Sequence, residues 1–261
     1  MKQINKRLQK RPAGRQDESM NEEFVARLKR EMSEMGISLT GKQTEQFYHY
    51  FEMLVEWNKV MNLTAITEMN DVITKHFTDS VSLISAVKNP AEISGSLVDV
   101  GTGAGFPGIP LKIVFPDLDV TLVDSLGKRI RFLETCAEEN GLSGIRAIHA
   151  RAEDFGRMKE HREVYDICVS RAVANLATLS EYCIPLVKKG GLFAPYKSGK
   201  LEEEMQMADG AVKKLGGKIE NITEFRLPNG DERKIVMIRK MTATPKIYPR
   251  KAGTPSKDPL H

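Results

Sequence analysis

The chain has 261 residues, 41% of them apolar and 28% charged, which suits a globular protein able to bury a real core. No apolar run approaches the roughly 18 residues needed to span a bilayer, and no apolar segment follows the basic N-terminus, so neither a membrane span nor a secretory signal is expected. The formal charge of +4 is unevenly spread: residues 1–19 sum to +4 and residues 239–261 to +5, so the body between them is acidic and a nucleic-acid partner would be held at the ends.

In chain order, residues 1–19 read as a disordered basic extension. Residues 20–92 have helical spacing and are expected to pack on the domain C-terminal to them. Asn21 is placed to cap a first helix carrying Phe24, Val25, Leu28 and Met32 on one face, stopped near Gly36. Thr40 is placed to cap a second, with Phe47, Phe51, Leu54, Val55 and Trp57 at helical spacing. After the loop NKVMNLTAI, a third helix is predicted from about Asn70 to Val87, with Ile73, Phe77, Val81 and Ile84 facing in. Pro90 and Gly95 end it.

The register then changes. Short β-branched runs at 97–101, 119–124, 145–150, 165–170 and 191–196 alternate with helical segments near 107–115, 127–141, 175–187 and 200–215. Such alternation means an α/β domain with a parallel sheet covered on both faces. KIENITEFRL and RKIVMIRK, joined through Pro228-Asn-Gly, read as a terminal hairpin. Residues 93–241 are therefore expected to form a Rossmann-like domain: a seven-stranded, mostly parallel sheet with an antiparallel terminal strand. Residues 242–261, rich in Pro, Lys and Arg, read as an extended basic tail. Cys136, Cys168 and Cys183 lie far apart without a CxxC, so no metal site or disulfide framework is expected, and a cytoplasmic protein fits.

The stretch DVGTGAGFPG (99–108) fits two fingerprints. Gly101, Gly103 and Gly105 match D-x-G-x-G-x-G, which suits S-adenosylmethionine. Gly103, Gly105 and Gly108 match G-x-G-x-x-G, which suits a dinucleotide and hydride transfer. Both place glycines where a backbone must approach a ligand, and both use an acid at the end of the second strand, Asp124, for ribose hydroxyls. Three features favour the first. Asp99 suits a cationic amino-acid tail and would repel a pyrophosphate. Pro107 and Pro110 remove backbone donors that a pyrophosphate needs. The second half of the sheet ends in a hairpin and not in another nucleotide-binding unit. The expected architecture is thus a class I methyltransferase with S-adenosylmethionine as cofactor.

DVGTGAGFPGIPLKI, VDS, KRIRFL, RAEDF, SRAVA, PLVKKGG and the tail YPRKAGTPSKDPL, together with WNKVMNLTAI and KHFTDS, resemble the bacterial small-subunit ribosomal RNA methyltransferase G family, also called glucose-inhibited division protein B. The resemblance runs from about Glu22 to Leu260. It implies methylation of a guanine N7 in 16S ribosomal RNA. It also implies that Gly101 and Phe106 contact the cofactor, Asp124 and Ser125 meet the ribose, Ala152 and Glu153 hold the adenine, and Arg171 lies at the cofactor facing the substrate pocket.

The chemistry agrees. Guanine N7 is an unprotonated acceptor, so in-line methyl transfer needs positioning and no general base. SRAVA stands where amine methyltransferases carry an Asn/Asp-Pro-Pro-aromatic motif. Arg171, directly after the fourth strand, is the candidate catalytic residue, with a fork of donors for guanine, phosphate or cofactor carboxylate. His76 could stack on a base or be a core histidine bonded to Asp79, and its helical spacing to Ser80 favours a structural or pocket-lining role. Arg129 and Arg131 read as a helix face. Lys197, Arg250, Lys251 and Lys257 are candidate phosphate contacts. The partner is 16S ribosomal RNA or the small subunit, and the protein is expected to be a monomer without metal. A small-molecule methyltransferase, a non-catalytic assembly factor and a NAD-dependent oxidoreductase are the competing readings.

Overall fold

The computed structural model describes residues 20–171, 173–199 and 201–261; the expected N-terminal extension lies outside them. Helix α1 (Glu22–Glu34) starts where Asn21 accepts from the amides of Glu23 and Phe24. Helix α2 (Gly41–Met61) opens with a capping box between Thr40 and Gln43. Its inner face differs from the expected one: Phe47, Tyr50, Met53, Leu54 and Trp57 are buried, whereas Phe51 and Val55 are only partly so. Tyr50 belongs to that face, with its hydroxyl donating to a buried acceptor, the Ala104 carbonyl, at 2.5 Å.

The third helix is not regular. It runs as α3 (Met69–Val72), a π-helical segment (Ile73–Thr78), α4 (Asp79–Val81) and a 3-10 turn (Ser82–Ser85). It is buried on nearly every side, and its polar groups find internal partners. Thr74 and Thr78 donate to the buried Glu31 carboxylate at 2.8 Å each, while the Ser80 and Ser82 hydroxyls bond back to the carbonyls of His76 and Asp79. Back-bonding hydroxyls loosen a regular helix, and a π-turn is a common device at functional sites.

The remainder bears out the expected α/β class. Strands β1 (Ser96–Val100), β2 (Asp119–Asp124), β3 (Ile145–His149), β4 (Tyr165–Arg171), β5 (Val187–Lys197), β6 (Gly217–Arg226) and β7 (Glu232–Lys240) form one sheet in the order β3-β2-β1-β4-β5-β7-β6. The first five are parallel, and β7 runs antiparallel to both β5 and β6. Strand β5 begins at Val187, earlier than expected, because α8 (Leu176–Cys183) gives way to a 3-10 turn at Ile184–Leu186 that contains Pro185. The other helices are α5 (Gly108–Val114), α6 (Gly127–Glu139), α7 (Ala152–Phe155), α9 (Leu201–Lys214) and α10 (Thr254–Lys257).

Side chains alternate along each strand, so the sheet has two apolar cores. Leu97, Val120 and Val169 join α1, α2 and the π segment on one face. Val98, Val100 and Val123 join α8, α9 and Leu260 on the other. Chain order reverses between β1 and β4, which opens a crevice at the carboxyl ends of the strands. Among the described residues no helix is long and apolar enough to cross a membrane.

The tail differs from its expectation. It is not extended over solvent but folded onto α7 and α8, with Pro255 and Leu260 buried. The reason is electrostatic. Glu181 on α8 is fully buried, and Arg250 supplies its counter-charge at 2.8 Å.

Candidate active site

The glycine loop leaves β1 at the switch point. Gly101 has φ 73°, and a Cβ there would stand 2.5 Å from Val173 Cγ2. Gly105 has φ 104°, and a Cβ would meet Ile109 at 2.5 Å and the Tyr50 hydroxyl at 2.8 Å. No side chain larger than hydrogen fits either position without displacing its neighbours.

One cleft, of about 530 Å³, lies beside this loop at the ends of β1 and β2. It is lined by Gly101, Asp124, Ser125, Ala152 and Glu153, all expected at the cofactor. Asp124 holds the loop from below. Its Oδ2 accepts from the Gly103 amide at 3.0 Å and from Arg129 Nη1 at 3.1 Å, and its Oδ1 accepts from the Leu126 amide at 2.9 Å. Arg129 also lines the cleft, so it is a site residue and not only a helix face. Leu126 and Val173 are apolar yet 43% and 40% exposed, and both line the cleft. Exposed apolar groups flanking a carboxylate suit a nucleoside, whose base needs flat contacts and whose ribose needs an acceptor.

Asp99 is not in this cleft. It alternates to the other face of β1 and is fully buried, where Oδ2 accepts from the Thr102 hydroxyl at 2.7 Å and the Gly108 amide at 2.8 Å. Burial raises its pKa to about 6. Its Oδ2 ties the loop to the start of α5, and its side chain does not line the cleft where a contact with an amino-acid tail is expected.

A second cavity, of about 290 Å³, lies on the opposite face of the same sheet edge. Arg171 reaches it because it alternates with Val169 toward the N-terminal helices. Its Nη1 donates to Asp79 Oδ2 at 2.7 Å and to the Lys75 carbonyl at 3.0 Å, and its Nη2 faces His76 Nδ1 at 3.2 Å. Asp79 also takes Arg233 Nε at 3.1 Å. The expected His76–Asp79 bond is therefore replaced: Asp79 is claimed by two arginines, and His76 Nε2 pairs with the Thr64 hydroxyl at 2.8 Å. Burial, with Arg171 nearby, lowers the His76 pKa to about 3, so the ring is neutral; with Nδ1 accepting from Arg171, its proton sits on Nε2. His76 stacks on Phe106 with ring centroids 4.3 Å apart, and the Arg171 guanidinium lies 5.2 Å from the same ring.

Lys197 also lines this cavity, but its ammonium is paired with Glu204 at 2.6 Å and donates to the Ala174 carbonyl. Arg250 is turned inward, while Lys251 and Lys257 are exposed. The two cavities are neighbours along the chain after β4: Val173 lines the first and Ala174 the second. Lys75 and Asp79 lie in KHFTDS, one of the segments that carry the resemblance, but the sequence gives neither, nor Arg233, a role at the site. Only its nearness to His76 hints at Asp79, and Arg233, at the foot of a hairpin strand, has no local pattern around it. Among the described residues no group of three His, Cys, Asp or Glu is arranged to hold a metal ion.

The family described as rRNA small subunit methyltransferase G matches residues 43–236. A ribosomal RNA small subunit methyltransferase G of Lachnoclostridium phytofermentans is 53% identical over 227 residues, covering 87% of this chain and 93% of that protein. One from Lactococcus lactis is 48% identical over 240 residues, covering 92% and 98%. Among solved structures, M. jannaschii TYW2 in complex with AdoMet is 18% identical, with a TM-score of 0.47, covering 58% of this chain and 73% of that one. With the family match spanning most of the chain and relatives near half identity over almost all of it, this protein belongs to the rRNA small subunit methyltransferase G family, GidB.

Proposed function

We propose that the protein transfers a methyl group from S-adenosylmethionine to N7 of a guanine in 16S ribosomal RNA, acting in the cytoplasm as a monomer without a metal. The observation that carries the reading is adjacency: a cleft beside the glycine loop and a cavity rich in Lys and Arg are lined by consecutive residues, Val173 and Ala174. Family membership supplies the RNA and the position on it.

In this reading Gly101, Gly103 and Gly105 let the backbone approach the cofactor. Asp124 and Ser125 accept from the ribose hydroxyls, and Ala152 and Glu153 hold the adenine. The residues fit such a ligand, since Leu126 and Val173 offer apolar surface and Glu153 keeps Oε2 without a protein donor among the described residues. S-adenosylmethionine, when bound, supplies an electrophilic methyl on a sulfonium. The guanine lone pair needs no base, so the protein's task is orientation and exclusion of water.

Arg171 is the residue that faces the acceptor. Asp79 and the Lys75 carbonyl fix its guanidinium before substrate arrives, which spares the ordering cost at binding. His76 stays neutral beside it, which avoids adding a like charge where N7 methylation leaves a cation. Lys75, Lys197 and Arg233 suit phosphates, as do the exposed Lys251 and Lys257. The three cavity cations would first have to exchange carboxylates for RNA: Asp71 at Lys75, Glu204 at Lys197, and Asp79 and Asp231 at Arg233.

The test is to incubate purified protein and tritiated cofactor with small subunits from a strain lacking the gene, then map the label. Label at one guanine N7 of 16S ribosomal RNA is expected. Label on metabolites only, or RNA binding without label, would overturn the proposal.

A further inference from the structure

The folded tail reaches the cleft that we read as the cofactor site through its bonds to α7 and α8. On α8, Glu181 is fully buried, and Arg250 clasps it with Nε at 3.0 Å, Nη2 at 2.8 Å and its own backbone amide at 2.7 Å. The next residue of α8, Tyr182, lines the cleft. Three residues beyond Arg250, the Gly253 amide donates to Glu153 Oε1 at 2.8 Å, and Glu153 also lines the cleft. Two outer bonds pin the segment: Arg157 Nε donates to the Pro249 carbonyl at 2.8 Å, and the Thr178 hydroxyl donates to the Pro255 carbonyl at 3.0 Å.

Arg250 has little left for a phosphate. Its remaining donors reach Asp258, Nη1 to Oδ2 at 3.0 Å and Nη2 to the carbonyl at 2.6 Å. An arginine holding a buried carboxylate through a planar fork is costly to displace.

We infer that Arg250 is a positioning residue for cofactor binding. Through Glu181 and the Gly253 amide, it holds the segment that ties α7 to α8 and fixes Glu153 at the cleft. The inference rests on the reading of that cleft as the S-adenosylmethionine site. It moves the tail's basic residue from RNA capture to cofactor capture. It also implies reciprocity: if a docked tail improves cofactor affinity, bound cofactor must steady the tail by the same factor.

The experiment uses the full chain and S-adenosylhomocysteine, the stable demethylated cofactor, measured by calorimetry. Arg250→Ala should weaken binding by about fivefold or more, within the ordinary range for coupled sites. Thr178→Val should weaken it less, and Arg250→Lys should fall between wild type and the alanine variant, because an ammonium cannot reproduce the fork. KM for S-adenosylmethionine should rise more than kcat falls. Affinity for the small subunit and its salt dependence should not move. In wild type, hydrogen exchange over residues 248–258 should slow when the ligand is added.

A folded Arg250→Ala with wild-type cofactor affinity overturns the inference, as does a loss of RNA affinity with a flatter salt dependence. If Arg250→Ala does not fold, Thr178→Val decides by the same comparison. Wild-type protein that binds neither S-adenosylmethionine nor its product overturns the functional reading itself, which separates the two failures.

Discussion

Acid should reveal two buried groups that pull stability in opposite directions. His76 titrates at about 3 in the folded protein against 6.5 when unperturbed, first through burial and then through Arg171. The unfolded chain takes up that proton and the folded one refuses it, so stability is lost as pH falls from about 6.5 toward 3. Asp99 titrates at about 6 against 3.8, again through burial. Here the folded chain takes the proton first, so stability falls as pH rises through about 4 to 6 and is regained in acid. Acidifying from about pH 7.5 to about pH 4.5 should cost about 2–3 kcal/mol through His76 and return about 2 kcal/mol through Asp99. The two contributions therefore nearly cancel over that window. His76→Phe, which keeps a ring on Phe106 but cannot ionise, should gain about 2 kcal/mol on acidification. Asp99→Asn, which keeps an acceptor for Thr102 and Gly108, should lose about 2–3 kcal/mol. Urea unfolding followed by the fluorescence of Trp57, the chain's one tryptophan, gives each value. The slope between the two pH values is what is read, because both variants also lose absolute stability. His76→Phe with the wild-type slope would refute the reasoning.

Asp124→Ala should weaken S-adenosylmethionine binding by about 1–3 kcal/mol, the worth of a lost charged hydrogen bond, and calorimetry reads it directly. Arg171→Lys keeps the charge but cannot bridge Asp79, His76 and the Lys75 carbonyl together, so kcat should fall tenfold or more, on the order of 1.4 kcal/mol, while cofactor affinity changes less. Single-turnover methylation of small subunits at saturating cofactor measures that split. Gly101→Ala should lose cofactor binding and lower the melting temperature, since φ 73° and a 2.5 Å approach to Val173 both oppose a side chain.

The sheet is legible in the sequence because its central strands are buried on both faces and so read as unbroken β-branched runs, from LVDVG to DVTLVD. The cofactor cleft is legible for a related reason. Its ligands sit at strand ends and in a glycine loop, where sequence position and spatial position nearly coincide. Asp99 misleads because its distance from Gly101 says nothing of which face it takes; alternation along β1 buries it under α5. The cationic cavity is less legible still. It gathers Lys75 and Asp79 from the irregular third helix, Arg171 from β4 and Arg233 from β7, and no local pattern announces that meeting. The π segment cannot be read from spacing, since packing on every side sets it and not propensity. The tail misleads for want of one fact: Lys/Arg-rich sequence reads as solvent-facing unless a buried acid is waiting for it. Glu181 waits 69 residues upstream.

The Arg233–Asp79 ion pair joins residues 154 positions apart, and the Gly253–Glu153 bond joins residues 100 apart. Contacts so distant in sequence form late, because chain closure must precede any reward. A chain still emerging from the ribosome can build β1 to β4 and the glycine loop while both cavities lack a member. Asp79 then holds Arg171 alone, and Glu153 has no amide to hold it. Full cofactor affinity should therefore come only after the tail has joined the fold, and the second arginine on Asp79 only after the last strand has.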